Sequence, residues 1–149
     1  MTDSDRFERL LLSLQDTELI LLKGHLLLEE QMTTLIESYL KKPKGLEKIR
    51  LSFAQKAYLL FCLTQLSLTT NDLEVILELN RIRNRLAHDA DFEKNHDDLR
   101  RWACSVLGHT PKTINRTKTY RNTLAKAFAI LIGFYTGVSR SRHEIMKMS

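Results

Sequence analysis

The chain has 149 residues, of which 43% are hydrophobic and 28% charged, and it carries a formal net charge of +5. A chain of this length can bury a hydrophobic core without disulfides or metals, and its near-average composition argues against a disordered protein. We therefore expect one domain covering residues 1–149. The positive surplus can attract a polyanion but does not by itself identify one.

The sequence also argues against export and membrane insertion. Residues Met1–Leu10 lack a basic stretch followed by an apolar one, so no signal peptide is expected. Crossing a bilayer takes about 18 apolar residues, and the run Leu124–Val138 is both shorter and interrupted by Lys126. We predict a cytoplasmic protein without membrane contact, in which Cys62 and Cys104 are buried free thiols.

Apolar residues recur at helical spacing along the chain, and only five glycines and two prolines interrupt them. No stretch alternates polar and apolar residues as a strand does, so the sequence predicts an all-α bundle of about five to six helices. In chain order, the predicted helices cover Arg6–Gln15, Glu18–Leu40, Ser52–Leu66, Asn71–His88, Asn95–Gly108 and Thr117–Val138. Their candidate N-terminal caps are Asp3 or Ser4, Asp16 or Thr17, Thr69 or Thr70, and Asn95.

The second predicted helix is apolar on more than one side. One of its stripes consists of Leu19, Leu22, Leu26, Thr33 and Ile36. The other consists of Leu21, Leu28, Met32 and Leu35. A helix of this kind needs more than one neighbour to cover it.

The fourth predicted helix has three faces when successive residues are placed about 100° apart. The first is an apolar stripe expected to face the core: Val75, Leu79, Ile82 and Leu86. The second has opposite charges at helical-neighbour spacing, typical of a solvated face: Glu74, Glu78, Arg81 and Arg85. The third begins apolar and ends polar: Leu73, Ile76, Leu77, Asn80, Arg83, Asn84 and His88. We expect this third face to meet another subunit around a shared cleft.

Arg83, Asn84 and His88 are the candidate functional residues. Asn84 and His88 are one helical turn apart, and Arg83 can reach the same cleft from the flank. A guanidinium suits phosphate and an imidazole exchanges a proton near neutral pH, and phosphodiester cleavage needs such a pair. The alternative is that these side chains only cap the last helical carbonyls or bond to Asp89 and Asp91.

The string RIRNRLAH, residues 81–88, resembles the signature of the HEPN superfamily, in which an Arg, often followed by Asn, precedes a His after four to six intervening residues. Arg83, Asn84 and His88 match these positions, with four residues between the Arg and the His. Residues 21–89 further resemble the mannitol operon repressor branch of small HEPN-like proteins. That branch typically carries Phe where Leu86 stands, and both side chains are apolar.

The resemblance implies a helical bundle that dimerises through the motif helix, so that two copies form one composite site. Many members are metal-independent endoribonucleases of toxin–antitoxin or anti-phage systems. In such an enzyme His88 is expected to act as general base or acid at the RNA 2′-hydroxyl. Arg83 would stabilise charge on the phosphate, and Asn84 would orient His88 or the phosphate. No metal or other cofactor is expected, because no acidic cluster is spaced for magnesium.

A second basic segment could also bind RNA. Arg116, Lys118, Tyr120 and Arg121 lie together at the start of the last predicted helix, where they could contact an RNA backbone and a base. The same residues also fit a solvated helix start. Trp102, in the fifth predicted helix, is expected in the core rather than as a platform for a base.

Three functional hypotheses follow. The first is a homodimeric endoribonuclease that acts on RNA as a toxin or phage-defence effector, with an antitoxin or regulatory protein as a further partner. The second is a non-catalytic transcriptional regulator or binding module of the mannitol repressor kind. No helix-turn-helix recognition helix stands out in the sequence, which weakens direct reading of DNA. The third hypothesis is a purely structural dimer module.

Overall fold

The computed structural model describes residues 1–64 and 70–148, apart from the side chains of residues 70 and 71. Every regular element within these residues is helical, which confirms the all-α prediction. The α-helices of the described residues are α1 Asp3–Leu12, α2 Thr17–Glu37, α3 Phe53–Leu63, α4 Thr70–His88, α5 His96–Leu107 and α6 Thr117–Met148. Short 3₁₀ helices over Pro43–Lys48 and Phe92–Asn95 precede α3 and α5.

Side-chain bonds determine where the first helices begin. Thr2, rather than the predicted Asp3 or Ser4, caps α1. Its hydroxyl accepts the backbone amide of Asp5 at 3.1 Å, and the Asp5 carboxylate accepts the amide of Thr2 at 2.9 Å. Asp16 caps α2 as predicted, by accepting an amide of the first turn at 3.0 Å. Both caps satisfy amides that lack a partner inside the helix.

The later helices begin and end partly as predicted. Asn95 occupies the N-cap position of α5, but its side chain makes no capping bond and donates to Asp89 at 3.4 Å. Gly108 ends α5 as predicted, with a φ of +79° in the left-handed region that favours glycine. α6 continues to Met148, past the predicted end at Val138, because the sequence beyond Val138 contains neither glycine nor proline.

The core is organised around α6, which packs along α1, α2 and α5. α2 approaches it closely at Gly24, where an added Cβ would lie 2.5 Å from the ring of Phe128. Trp102 of α5 is buried, as predicted, and its ring contacts Phe128. The Trp102 indole also donates to the carbonyl of Val75 at 2.9 Å, which ties α4 to α5.

Some apolar surface is left uncovered. On α2, the stripe Leu21, Leu28, Met32 and Leu35 is buried, whereas Leu19, Leu22 and Leu26 are 51%, 39% and 46% exposed. Cys104 is buried as predicted, but Cys62 is exposed, which corrects the prediction that both thiols are buried. The reason is that α3 also carries apolar residues on its outer side, where Tyr58 and Phe61 are exposed.

Candidate functional site

The buried stripe of α4 determines which of its residues reach the surface. It consists of Ile76, Leu79 and Ile82. Ile76 is therefore a core residue, contrary to its predicted place on the third face, while Val75 and Leu86 are only half-buried. Because α4 packs against α2, α3 and α5, its buried residues occupy more of the helix circumference than a single stripe. Its predicted caps, the side chains of residues 69 and 70, lie outside the described part of the chain.

One polar face of α4, formed by Glu78, Arg81 and Arg85, is internally paired. Glu78 binds the guanidinium groups of Arg81 at 3.2 Å and Arg85 at 3.4 Å. Arg85 also binds Asp98 of α5 at 3.0 Å, and Arg101 binds the same carboxylate. This paired face corresponds to the solvated face that the sequence predicts. Its positive charges all lie next to carboxylates.

The other polar face holds Arg83, Asn84 and His88, which we call the motif face. Arg83 is half-buried, whereas Asn84 and His88 are exposed. Within the described residues, none of these three side chains makes a hydrogen bond or an ion pair, either with one another or with a neighbour. The guanidinium, the amide and the imidazole are therefore open to a ligand.

The two aspartates that follow α4 are engaged in folding the connection to α5. Asp89 accepts the backbone amide of Asp91 at 3.0 Å and the side chain of Asn95 at 3.4 Å. Asp91 in turn accepts the amide of Glu93 at 3.3 Å. Among the residues that the structure describes, neither aspartate binds the motif face. The capping alternative is therefore not supported by these contacts.

A buried histidine lies next to the motif face. Nε2 of His25, on α2, lies 3.1 Å from Oδ1 of Asn80, which precedes Asn84 by one turn of α4. The His25 ring stacks on Phe53 of α3, with ring centroids 4.0 Å apart and an interplanar angle of 24°. His25 thus connects α2, α3 and α4. Sequence reasoning missed this pair, whose members are 55 positions apart, and its only signal is a histidine within an apolar stretch.

The surroundings of His25 favour the neutral imidazole. Burial is the main cause and lowers the pKa of His25 below its usual value of 6.5. The Arg83 guanidinium lowers this pKa as well, whereas the bond to Asn80 and the Glu29 carboxylate oppose the shift. Glu29 is itself bound by Lys56 of α3 at 3.0 Å. The Arg83 side chain is therefore close enough to act electrostatically on His25.

The second predicted RNA-binding segment lies only partly on the surface. Arg116 and Lys118 are exposed. Arg121 is half-buried and donates to the backbone carbonyl of Gln15 at 3.3 Å. Tyr120 is only 4% exposed. This burial corrects the prediction that Tyr120 contacts a base, because its ring faces the interior.

Tyr120 belongs to a buried polar cluster that joins α2, α5 and α6. Its hydroxyl lies 2.7 Å from Nδ1 of His96, and Nε2 of His96 lies 3.7 Å from the carboxylate of Glu18. The guanidinium of Arg100 covers the ring, 4.5 Å from its centroid. Burial raises the pKa of Tyr120 well above its usual value of 10, so the hydroxyl stays protonated and available for this bond. The cluster explains why an otherwise polar helix start contains a core tyrosine.

Two further properties concern metals and membranes. Across residues 1–64 and 70–148, no three His, Cys, Asp or Glu side chains gather in the way that a metal site requires. No described helix combines the length and the apolar character needed to span a bilayer.

The chain matches no family model, no curated protein and no solved structure. Within the described residues, the fold and the site define a class: an all-helical protein in which α4 presents, near its C-terminal end, a guanidinium, an amide and an imidazole that are unpaired there.

Proposed function

We propose that the protein is a metal-independent endoribonuclease of the HEPN type, which acts on RNA through a composite site formed by two copies of the chain. The observation that carries this proposal is that Arg83, Asn84 and His88 have no partner among the residues the structure describes, whereas Arg81 and Arg85 on the same helix are both paired with carboxylates. Three groups suited to a phosphodiester thus lie at one end of one helix, and none is bound by a described side chain.

In the proposed reaction, the His88 imidazole accepts the proton of an RNA 2′-hydroxyl. The 2′-oxygen attacks the adjacent phosphorus, and the bond from phosphorus to the 5′-oxygen breaks. The leaving 5′-oxygen takes a proton from the imidazolium of the second copy, so the products are a 2′,3′-cyclic phosphate and a 5′-hydroxyl. Positioned acid–base groups of this kind contribute about 10²- to 10⁴-fold to the rate.

Arg83 and Asn84 act on the phosphate in this proposal. The Arg83 guanidinium offers planar, permanently charged donors that match the phosphate oxygens as negative charge develops on them. The exposed Asn84 amide, one turn before His88, orients the imidazole or donates to the same phosphate. DNA lacks the attacking hydroxyl and is not cleaved by this route.

The second copy is supported by the uncovered apolar stripe of α2. Leu19, Leu22 and Leu26 are exposed on a helix that contacts α4 through His25 and Asn80. Exposed apolar stripes of this kind are typical of protein interfaces. A two-fold symmetric contact there would cover the leucines in both copies and place two motif faces near each other. A nuclease of this kind fits a toxin or phage-defence effector controlled by an antitoxin or regulatory protein.

The decisive experiment incubates the purified protein with total RNA in EDTA. We expect cleavage by the unaltered protein, loss of cleavage in His88→Ala, and retention in His143→Ala, which replaces an exposed histidine on α6. An oligonucleotide with a single 2′-deoxy sugar at the cleaved position should stay intact. Cleavage by His88→Ala, or products with a 3′-hydroxyl, would contradict the mechanism.

One observation favours the regulator as a second candidate. A general base is usually oriented by a further group, and among the described residues no side chain bonds to His88. A non-catalytic regulator or binding module would use the same face for nucleic acid or protein and would not need an oriented imidazole. It predicts that no RNA is cleaved and that binding survives His88→Ala.

A further inference from the structure

The bond between His25 and Asn80 fixes the orientation of the Asn80 amide. Its Oδ1 atom can only accept, so Nε2 of His25 must carry the hydrogen of this 3.1 Å contact. The stacking on Phe53 holds the imidazole in the plane that this bond requires. Because Oδ1 of Asn80 accepts a hydrogen bond from His25, Nδ2 of the same amide points away from the His25 ring. The two hydrogens on Nδ2 then remain as donors.

Asn80 lies in register with the motif face. Asn80, Asn84 and His88 are spaced by one helical turn each, so their side chains project on the same side of α4. Asn80 is half-buried, and among the described residues its Nδ2 has no acceptor. Asn80 Nδ2 is not among the buried side-chain atoms that lack a partner, so it reaches the surface, where a ligand can supply an acceptor.

We propose that Asn80 is a further phosphate-binding residue of this site and that His25 is the residue that positions it. This inference rests on the proposed RNA-cleaving function and extends it beyond the motif residues. Asn80 donates Nδ2–H to a non-bridging oxygen of a phosphate next to the one that Arg83 binds. His25 does not touch the RNA.

The neighbouring charges suit a neutral donor at this position. Arg83 on α4 and Glu29 on α2 both act on the pKa of His25, and Glu29 is paired with Lys56 of α3 at 3.0 Å. Arg83 therefore supplies the positive charge that attracts phosphate, whereas Asn80 supplies an uncharged hydrogen-bond donor with a fixed direction. An uncharged donor held in one orientation can favour one path of the RNA backbone across the site. Because it carries no charge, it does not add to the salt dependence of RNA binding.

Binding of an uncleavable RNA tests the assignment of Asn80. The probe is a single-stranded oligonucleotide of mixed sequence, 2′-O-methylated at every ribose, titrated at several salt concentrations. We expect Asn80→Ala to bind about 10-fold more weakly, because hydrogen bonds to charged groups are among the stronger ones, with an unchanged salt slope. Arg83→Ala should also weaken binding and reduce the slope of log Kd against log salt by about 0.7. Gln31→Ala is the matched control, since Gln31 is a half-buried amide bound to Thr136 of α6.

Substitution of His25 tests the positioning role. His25→Gln retains a donor for Oδ1 of Asn80 and should keep at least half of the affinity, whereas His25→Leu should reproduce the loss of Asn80→Ala. His96→Gln replaces the other buried histidine as a control. Thermal unfolding of each variant separates lost binding from lost structure. The ¹⁵N shifts of the His25 ring should report hydrogen on Nε2, and a ring with hydrogen on Nδ1 alone would overturn the inference in a protein that folds normally.

The outcomes for the two proposals differ. If the protein cleaves RNA and Asn80→Ala binds and cleaves like the unaltered chain, the assignment of Asn80 is wrong and the nuclease stands. If the protein binds the methylated probe through Asn80 but cuts no RNA, the nuclease is wrong and the assignment of Asn80 stands. If the unaltered chain neither binds nor cleaves RNA, both are overturned.

Discussion

The paired face and the motif face of α4 both contain arginine, but in different surroundings. Arg81 and Arg85 lie 3.2 Å and 3.4 Å from Glu78, and Arg85 also reaches Asp98. Arg83, between them in sequence, has no carboxylate partner within the described residues. Exposed ion pairs contribute about 0–1 kcal/mol each, so the paired face adds little to stability. The difference teaches that the partner of an arginine, rather than its position on a helix, indicates whether its charge is available to a ligand.

The largest expected difference between the faces is in RNA cleavage. Arg83→Ala should lower kcat/KM by about 10²-fold or more, because it removes charge stabilisation of the transition state, whereas Arg81→Ala should leave it within a factor of about 2. Arg83→Lys should recover only part of the activity, since an ammonium lacks the planar pair of donors. Equal losses in the Ala variants of Arg81 and Arg83 would remove the distinction between the faces.

The motif face also depends on the placement of α2, which can be disturbed at Gly24. Gly24→Ala should lower the free energy of unfolding by about 1–3 kcal/mol, because its Cβ would overlap the Phe128 ring. Gly137→Ala, at a helical position with open space around the new Cβ, should instead raise stability by up to about 1 kcal/mol. Denaturant unfolding measures both. A stable Gly24→Ala protein would mean that α2 can move away from α6 at little cost.

The histidine beside the motif face should make stability depend on pH. The folded pKa of His25 is lowered, so the unfolded chain binds its proton more readily. This contribution to stability is complete above the unfolded value of about 6.5 and is lost as the pH falls through the lower folded pKa. The unaltered protein should therefore lose more stability below pH 6.5 than His25→Gln does. Parallel pH profiles for the two proteins would indicate that burial does not perturb His25.

The smallest effect is expected on the paired face itself. Arg85→Ala should change the free energy of unfolding by no more than about 1 kcal/mol, since pairs with exposed partners are screened by solvent. The Arg85 side chain is 42% exposed, which supports that limit. RNA binding and cleavage should be unchanged. A large loss of stability would mean that the contact with Asp98 is needed to hold α4 against α5.

The hydrophobic periodicity of the sequence predicts where the helices lie better than it predicts which of their residues contact other helices. The Asp16 cap and the stop at Gly108 follow from local rules and are confirmed, and each of the six predicted helices has a counterpart. The predicted ends are less accurate: α1 ends at Leu12 instead of Gln15, and α3 ends at Leu63, before the predicted Leu66, which lies outside the described residues. The orientation of α4 is less well predicted, because a helix with three neighbours buries more than one stripe. Ile76 therefore lies in the core although its sequence position groups it with the motif face.

Contacts between distant residues could not be predicted from one sequence. The motif residues stand close together along the chain and can be found by their spacing, but Asn80 meets His25 across 55 positions. Tyr120 likewise pairs with His96 across 24 positions. A tyrosine among basic residues is expected at the surface, because the sequence does not show its buried hydrogen-bond partner. Local spacing thus predicts the motif residues, whereas contacts that depend on packing are not predicted.

The long α6 also has a consequence for how the chain is made. It covers both α1 and α2, although it is the last of the described helices to leave the ribosome. Until then, the residues of α1 and α2 that pack against α6 lack their native neighbours. We expect native structure to form only after synthesis of α6, so that truncated chains aggregate rather than accumulate as partly folded intermediates.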